Sequence, residues 1–73
     1  MAVEPIPFPP SRSITLIEYD PETQQLKVTF RRGGVNVYTG VDETSARGFS
    51  QYLSATQYLN AYIVGQFFEQ RIV

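Results

Sequence analysis

Cysteine, histidine and tryptophan are absent from the 73-residue chain, and methionine occurs once. Without cysteine there is no disulfide framework and no thiolate nucleophile; without histidine there is no imidazole base, no switch near neutral pH and no Cys/His zinc site. Lys27 is the single lysine, and the serine and threonine hydroxyls have no base to activate them, so no catalytic residue is assigned and the chain reads as non-enzymatic. Glu18, Asp20 and Glu22 lack the ligand spacing of a calcium loop. Neither a metal nor a cofactor is expected. Charge of either sign is sparse, with 6 basic against 7 acidic residues and a net charge of -1. That balance excludes the broad cationic field of a non-specific nucleic-acid binder while allowing a local basic patch.

Long hydrophobic runs are missing too. The most apolar stretch, residues 58 to 68, is broken by Asn60, Gly65 and Gln66 and falls far short of the ~20 apolar residues of a bilayer span. The N-terminal ten residues carry Glu4 as their only charged side chain and four prolines, unlike a secretory signal. A cytoplasmic protein with no membrane association is the expectation. A chain this short, with no disulfide or metal, draws only ~3 to 5 kcal/mol from one core, which makes self-association as a homodimer or higher oligomer expected.

What is present reads as an arm followed by one small α+β domain. In residues 1 to 11, prolines alternating with Ile6 and Phe8 favour an extended arm, either a loose tail or a segment whose Ile6 and Phe8 dock on a neighbour. Residues 12 to 73 form the domain. Ile14, Leu16, Ile17 and Tyr19 suggest a strand, and their mixed parity requires a bulge near Leu16 and Ile17 or burial on both faces. A turn follows at Asp20 and Pro21, then the alternation of Leu26, Val28 and Phe30 with Lys27, Thr29 and Arg31 predicts a second strand. Gly33 and Gly34 read as a tight hairpin turn into a third strand with Val35 and Val37 inward. On this reading Lys27, Arg31, Asn36 and Tyr38 share the face away from the helices. Asp42 is placed to cap a helix over residues 42 to 53, and Ser54 or Thr56 a second over 56 to 70 with Leu59, Ile63 and Phe67 on one side. Ile72 and Val73 end the chain. The expected architecture is a three-stranded antiparallel meander with two helices packed on one sheet face.

The order Ser-Ile-x-x-Ile-x-Tyr-Asp from Ser13 and Leu-x-Val-x-Phe from Leu26, followed by Gly33-Gly34-Val35, Tyr38, Gly40-Val41 and Tyr58-Leu59-Asn60-Ala61-Tyr62-Ile63, resembles the KTSC domain family. The resemblance runs over roughly residues 12 to 70. It implies a small domain like the C-terminal extension of some lysyl-tRNA synthetases, found free-standing in bacteria and phages, for which RNA binding has been suggested. Asn36 stands where the family's central Tyr-x-Tyr has its first tyrosine, and residues 54 to 57 lack the glycine usual there.

Two function classes follow. In the first, Lys27, Arg31, Arg32, Gly33, Asn36 and Tyr38 bind RNA or a nucleotide-like ligand. Arginine forks would hold phosphate beside a glycine turn while a base stacks on Tyr38. In the second, the chain is a protein-interaction or assembly module of the kind a phage would encode, working as an oligomer or host-target binder with Ile6, Phe8, Tyr58 and Tyr62 as its interface. Aromatic content of 14% against 18% charged residues suits the second, and the basic hairpin tip suits the first.

Overall fold

The computed structural model describes residues 3 to 72; Met1 and Ala2 of the arm and the terminal Val73 lie outside the described residues. Five strands form one antiparallel sheet in sequence order: β1 Glu4–Pro5, β2 Ile14–Asp20, β3 Gln25–Phe30, β4 Val35–Thr39 and β5 Phe68–Arg71. Between β4 and β5 lie α1 Glu43–Arg47, a 3₁₀ turn Gly48–Gln51, α2 Ala55–Tyr58 and a π-type turn Leu59–Ile63. The helical segments cover one sheet face.

The predicted meander forms the centre of this sheet. Asp20 accepts the Glu22 N–H at 3.0 Å, closing the turn between β2 and β3. The register shifts between Ile14 and Leu16, so Ile14, Ile17 and Tyr19 all reach the core despite their mixed parity. The parity calls for a bulge near Leu16 and Ile17, and the irregularity falls just before them, between Ile14 and Leu16.

Two expected boundaries are corrected, and each correction adds a strand. The arm is not loose: Glu4 and Pro5 pair with Tyr19 and Glu18, and the Ile6 N–H donates to the Ile17 carbonyl at 2.8 Å. Ile6 is 2% exposed inside this chain's own core, and Phe8 packs against that core. An anchor already tethered a few residues away closes on its own sheet without the loss of translational freedom that docking on a neighbour entails. The second helix ends near residue 63 instead of 70. Gly65 has φ +82, a left-handed conformation that stops a helix, and Val64 before it is extended. The remaining residues return as β5, with Phe67 still partly buried against the core but no longer on a helix.

The first helix is also shorter than its apolar spacing suggested. Asp42 caps it as expected, accepting from the Ser45 N–H at 3.2 Å and the Ser45 hydroxyl at 2.8 Å. After Arg47 the chain tightens into the 3₁₀ turn, where Ser50 Oγ donates to the Arg47 carbonyl at 3.0 Å. Gly48 sits at this junction because the Tyr58 ring lies on it. A Cβ at Gly48 would come within 2.1 Å of Tyr58 Oη and 2.5 Å of its Cζ. The ring is held there by a 2.7 Å bond from its hydroxyl to the Ser45 carbonyl and by Phe49, 4.6 Å away between centroids.

Gly48→Ala is expected to lower unfolding free energy by about 1–3 kcal/mol in urea titrations, and by much less in a Tyr58→Leu background, where no ring meets the new methyl. Equal losses in both backgrounds would show that the contact is not the cause. The Ser45 hydrogen bonds hold the Asp42 carboxyl below its ordinary value of 3.8. Its contribution to stability is therefore present above that value and lost as the pH falls through the lower folded value. Asp42→Ala should accordingly destabilise at pH 7, and the deficit should shrink in acid, read from paired thermal melts.

A candidate anion-binding cleft

The site is built at one end of the sheet, and the hairpin between β3 and β4 sets its contents. Phe30 N–H donates to the Gly34 carbonyl and Gly33 N–H to the Phe30 carbonyl, at 2.8 and 2.9 Å. Gly33 and Gly34 are therefore not a two-residue turn. The loop closes so that Lys27 pairs with Val37, Leu26 with Tyr38 and Val28 with Asn36. Directly paired residues share a face, so Asn36 and Tyr38 point toward the helices while Val35 and Val37 lie on the outer face with Lys27 and Thr29. This overturns the expected grouping of Lys27 with Tyr38.

The consequences differ residue by residue. Tyr38 is 1% exposed, and burial, with a smaller contribution from Glu69, pushes its hydroxyl above the ordinary value, partly opposed by a hydrogen bond from Asn36. Its ring has no face to offer a base. Lys27 lies across the outer face and pairs with Glu18 at 3.3 Å. Arg31, Arg32 and Asn36 do converge, and Gly33 belongs to the loop that carries the two arginines. Tyr58 is a core residue, whereas Tyr62 is 48% exposed and shares a hydroxyl–hydroxyl hydrogen bond with Tyr52.

Around Arg31 and Arg32 opens a cleft of about 640 Å³. Arg12, just before β2, and Arg71, at the end of β5, supply two more guanidinium groups, and Ser13, Asn36 and Thr56 add polar atoms beside a floor of Phe30. The strand pairings bring these residues together: Ile14 lies opposite Phe30, and Asn36 opposite Arg71. Arg31 braces the wall, donating through Nε to the Arg12 carbonyl at 3.0 Å and through Nη2 to the Ser11 carbonyl at 3.1 Å. These two bonds use two of its five N–H donors. The Arg71 guanidinium lies against Gly34, where a Cβ would stand 3.3 Å from Nη2.

The electrostatics are one-sided. Four of the chain's six basic residues line the cleft, and among the described residues no carboxylate lines it. Beside the cleft, Glu69 accepts from Asn36 Nδ2 at 3.0 Å. The other two cations are engaged elsewhere, Lys27 with Glu18, and Arg47 with Glu43 at 2.8 Å and with Glu4. Clustered guanidinium groups beside hydroxyl and amide donors are suited to phosphate or another oxyanion.

Sequence reasoning found Arg31, Arg32 and Asn36 but missed Arg12 and Arg71. Arg12 was accessible to it, since extending the first hairpin two residues past Ile14 and Phe30 places Arg12 opposite Arg32. Arg71 was not, because it depends on β5, which was read as helix.

Among the described residues no helix is long and apolar enough to cross a membrane. No curated protein matches the chain. A family model described as the KTSC domain matches residues 10–68. The chain is also similar to a crystal structure of a KTSC domain protein from Yersinia pestis, at 30% identity and a TM-score of 0.85, covering 99% of this chain and 100% of that one. The family match runs from the residues just before Arg12 to the first residue of β5, and the structural similarity extends over the whole sheet and its helical cover: the chain belongs to the KTSC domain family.

Proposed function

We propose that the protein is a non-enzymatic binding module that holds a phosphate-bearing ligand, RNA or a nucleotide, in the four-arginine cleft. The observation that carries this reading is the gathering of Arg12, Arg31, Arg32 and Arg71 around one opening in a chain whose net charge is -1. Its volume of about 640 Å³ lies inside the ~300–1,000 Å³ range of small-ligand sites and suits one or two nucleotides better than a long duplex. Recognition is led by phosphate. Tyr38 is buried, and the half-buried Phe30 is the aromatic side chain lining the cleft, so stacking has little platform.

A second reading, a protein-interaction module, is favoured by one patch on the helical layer. Leu53 is 98% exposed next to Tyr52, whose ring stands 5.4 Å from that of the exposed Tyr62. Ile6 and Tyr58, once candidates for such an interface, are occupied within the core.

Arg32 gives the cleaner test, because Arg31 also braces the Ser11 and Arg12 carbonyls. Fluorescence anisotropy with a labelled single-stranded RNA octamer and calorimetry with ATP separate the two ligand classes, with pyrophosphate as the probe for phosphate alone. Arg32→Ala should weaken binding about tenfold, the ~1.5 kcal/mol of one charged hydrogen bond, while its melting temperature stays close to that of the unaltered protein. For RNA it should also reduce the slope of log affinity against log salt by roughly 0.7 to 0.9. If the unaltered protein binds none of the three at low salt, the cleft reading is abandoned in favour of the second.

A further inference from the structure

The two edges of the sheet are built differently. β1 is two residues long, contains Pro5 and is flanked by further prolines, so that edge offers few donors to another strand. β5 has no proline, and all four of its residues are exposed. The Ile72 N–H donates to the Val35 carbonyl at 2.9 Å. Backbone groups alternate in direction along a strand, so those of Gln70 and Ile72 point toward β4 and those of Glu69 and Arg71 point outward.

That alternation limits how a second copy could pair with β5 about a two-fold axis. A hydrogen-bonded antiparallel pair needs outward-pointing residues opposite one another, which leaves three short registers. Glu69 opposite Glu69 and Arg71 opposite Arg71 each set like charges face to face. The third places Gln70 on the axis, Glu69 opposite the partner's Arg71, and Phe68 opposite the partner's Ile72. Both charges are then matched twice. Both apolar side chains, 69% and 51% exposed in the single chain, gain an apolar neighbour on the outer face that already carries Val35 and Val37.

We infer that β5 is a homodimer interface, in which two copies pair their β5 strands antiparallel with Gln70 at the two-fold axis and join their sheets into one. The pattern Phe68-Glu69-Gln70-Arg71-Ile72 is self-complementary in that register. Glu69 and Arg71, which repel strands of other charge pattern, become the groups that select a second copy of this chain. The edge shares Arg71 with the cleft, so the dimer is assayed without phosphate, and Phe68, on the outer face, reports on the edge apart from the cleft.

The test is native mass spectrometry with sedimentation velocity, at high micromolar concentration and without added nucleotide. The unaltered protein should be dimeric. Glu69→Arg alone sets arginine against arginine, and Arg71→Glu alone sets glutamate against glutamate, so each should raise the dimer dissociation constant about tenfold. Mixed one to one, the two variants should form a heterodimer, because every pair is again opposite in charge. Phe68→Lys, which changes neither member of a charge pair, should weaken the dimer independently. Circular dichroism confirms that each variant is folded. A monomeric unaltered protein, single variants that associate as tightly as it does, or a mixture that yields no heterodimer would each overturn the inference.

Discussion

The hydrogen bonds that close Phe30 against Gly34 determine more of this molecule than any other local feature. Closing a loop over Arg31 to Gly33, in place of a two-residue turn at Gly33 and Gly34, moves the register by an odd number of residues and so reverses the facing of every β4 side chain, because side chains alternate with a period of two. Tyr38 and Asn36 go inward and Val35 and Val37 outward. The same register places Asn36 opposite Arg71 on β5, next to the loop that bears Arg31 and Arg32. Sheet interior, outer face and cleft are thus one choice made at one hairpin.

Charge follows the direction of the strands. The turn after β2 carries Asp20 and Glu22, and Asp42, Glu43 and Glu4 lie at that same end, where Val41 N–H donates to the Gln24 carbonyl. Tyr19, whose hydroxyl donates to the Val41 carbonyl at 2.5 Å, registers this field: burial first, then Glu43, Asp42 and Asp20, push its hydroxyl above the ordinary value. The four cleft arginines occupy the opposite end. The chain is thus electrically polar along its strands, acidic at one end and arginine-rich at the other.

The central meander was readable because Leu26, Val28 and Phe30 alternate cleanly and because the parity break at Leu16 and Ile17 announces its own bulge. The Asp42 cap was readable from local chemistry alone. The hairpin register was not, since Gly33 and Gly34 suit several loop closures and only the three-dimensional packing of Tyr38 against the helices decides among them. β5 was hidden for a related reason. The spacing Leu59, Ile63 and Phe67 fits a helix, and the left-handed Gly65 lies inside that pattern, where glycine is a weak signal. The cleft was half visible in consequence: its hairpin arginines could be named, whereas Arg71 needed a strand that the apolar period concealed.

The helical layer shows how so short a chain holds a wall for this cleft. Helices of four and five residues have no stability of their own in water, where about 12 to 15 residues are needed. Rings take the place of helix length: Tyr58 contacts Phe49, Tyr52 and Tyr62 at centroid distances of 4.6 to 5.0 Å, joining both segments through one side chain. That packing requires the bare backbone at Gly48, and it fixes the start of α2, where Ser54 caps Gln57 N–H at 3.3 Å. Thr56, in the first turn of α2, lines the cleft and lies 3.5 Å from Ser11 Oγ, whose backbone carbonyl in turn accepts from Arg31. The aromatic cluster thus reaches the arginine cleft through two hydroxyls and one carbonyl, so the ring that seats on Gly48 and the wall that carries Arg31 belong to one connected packing.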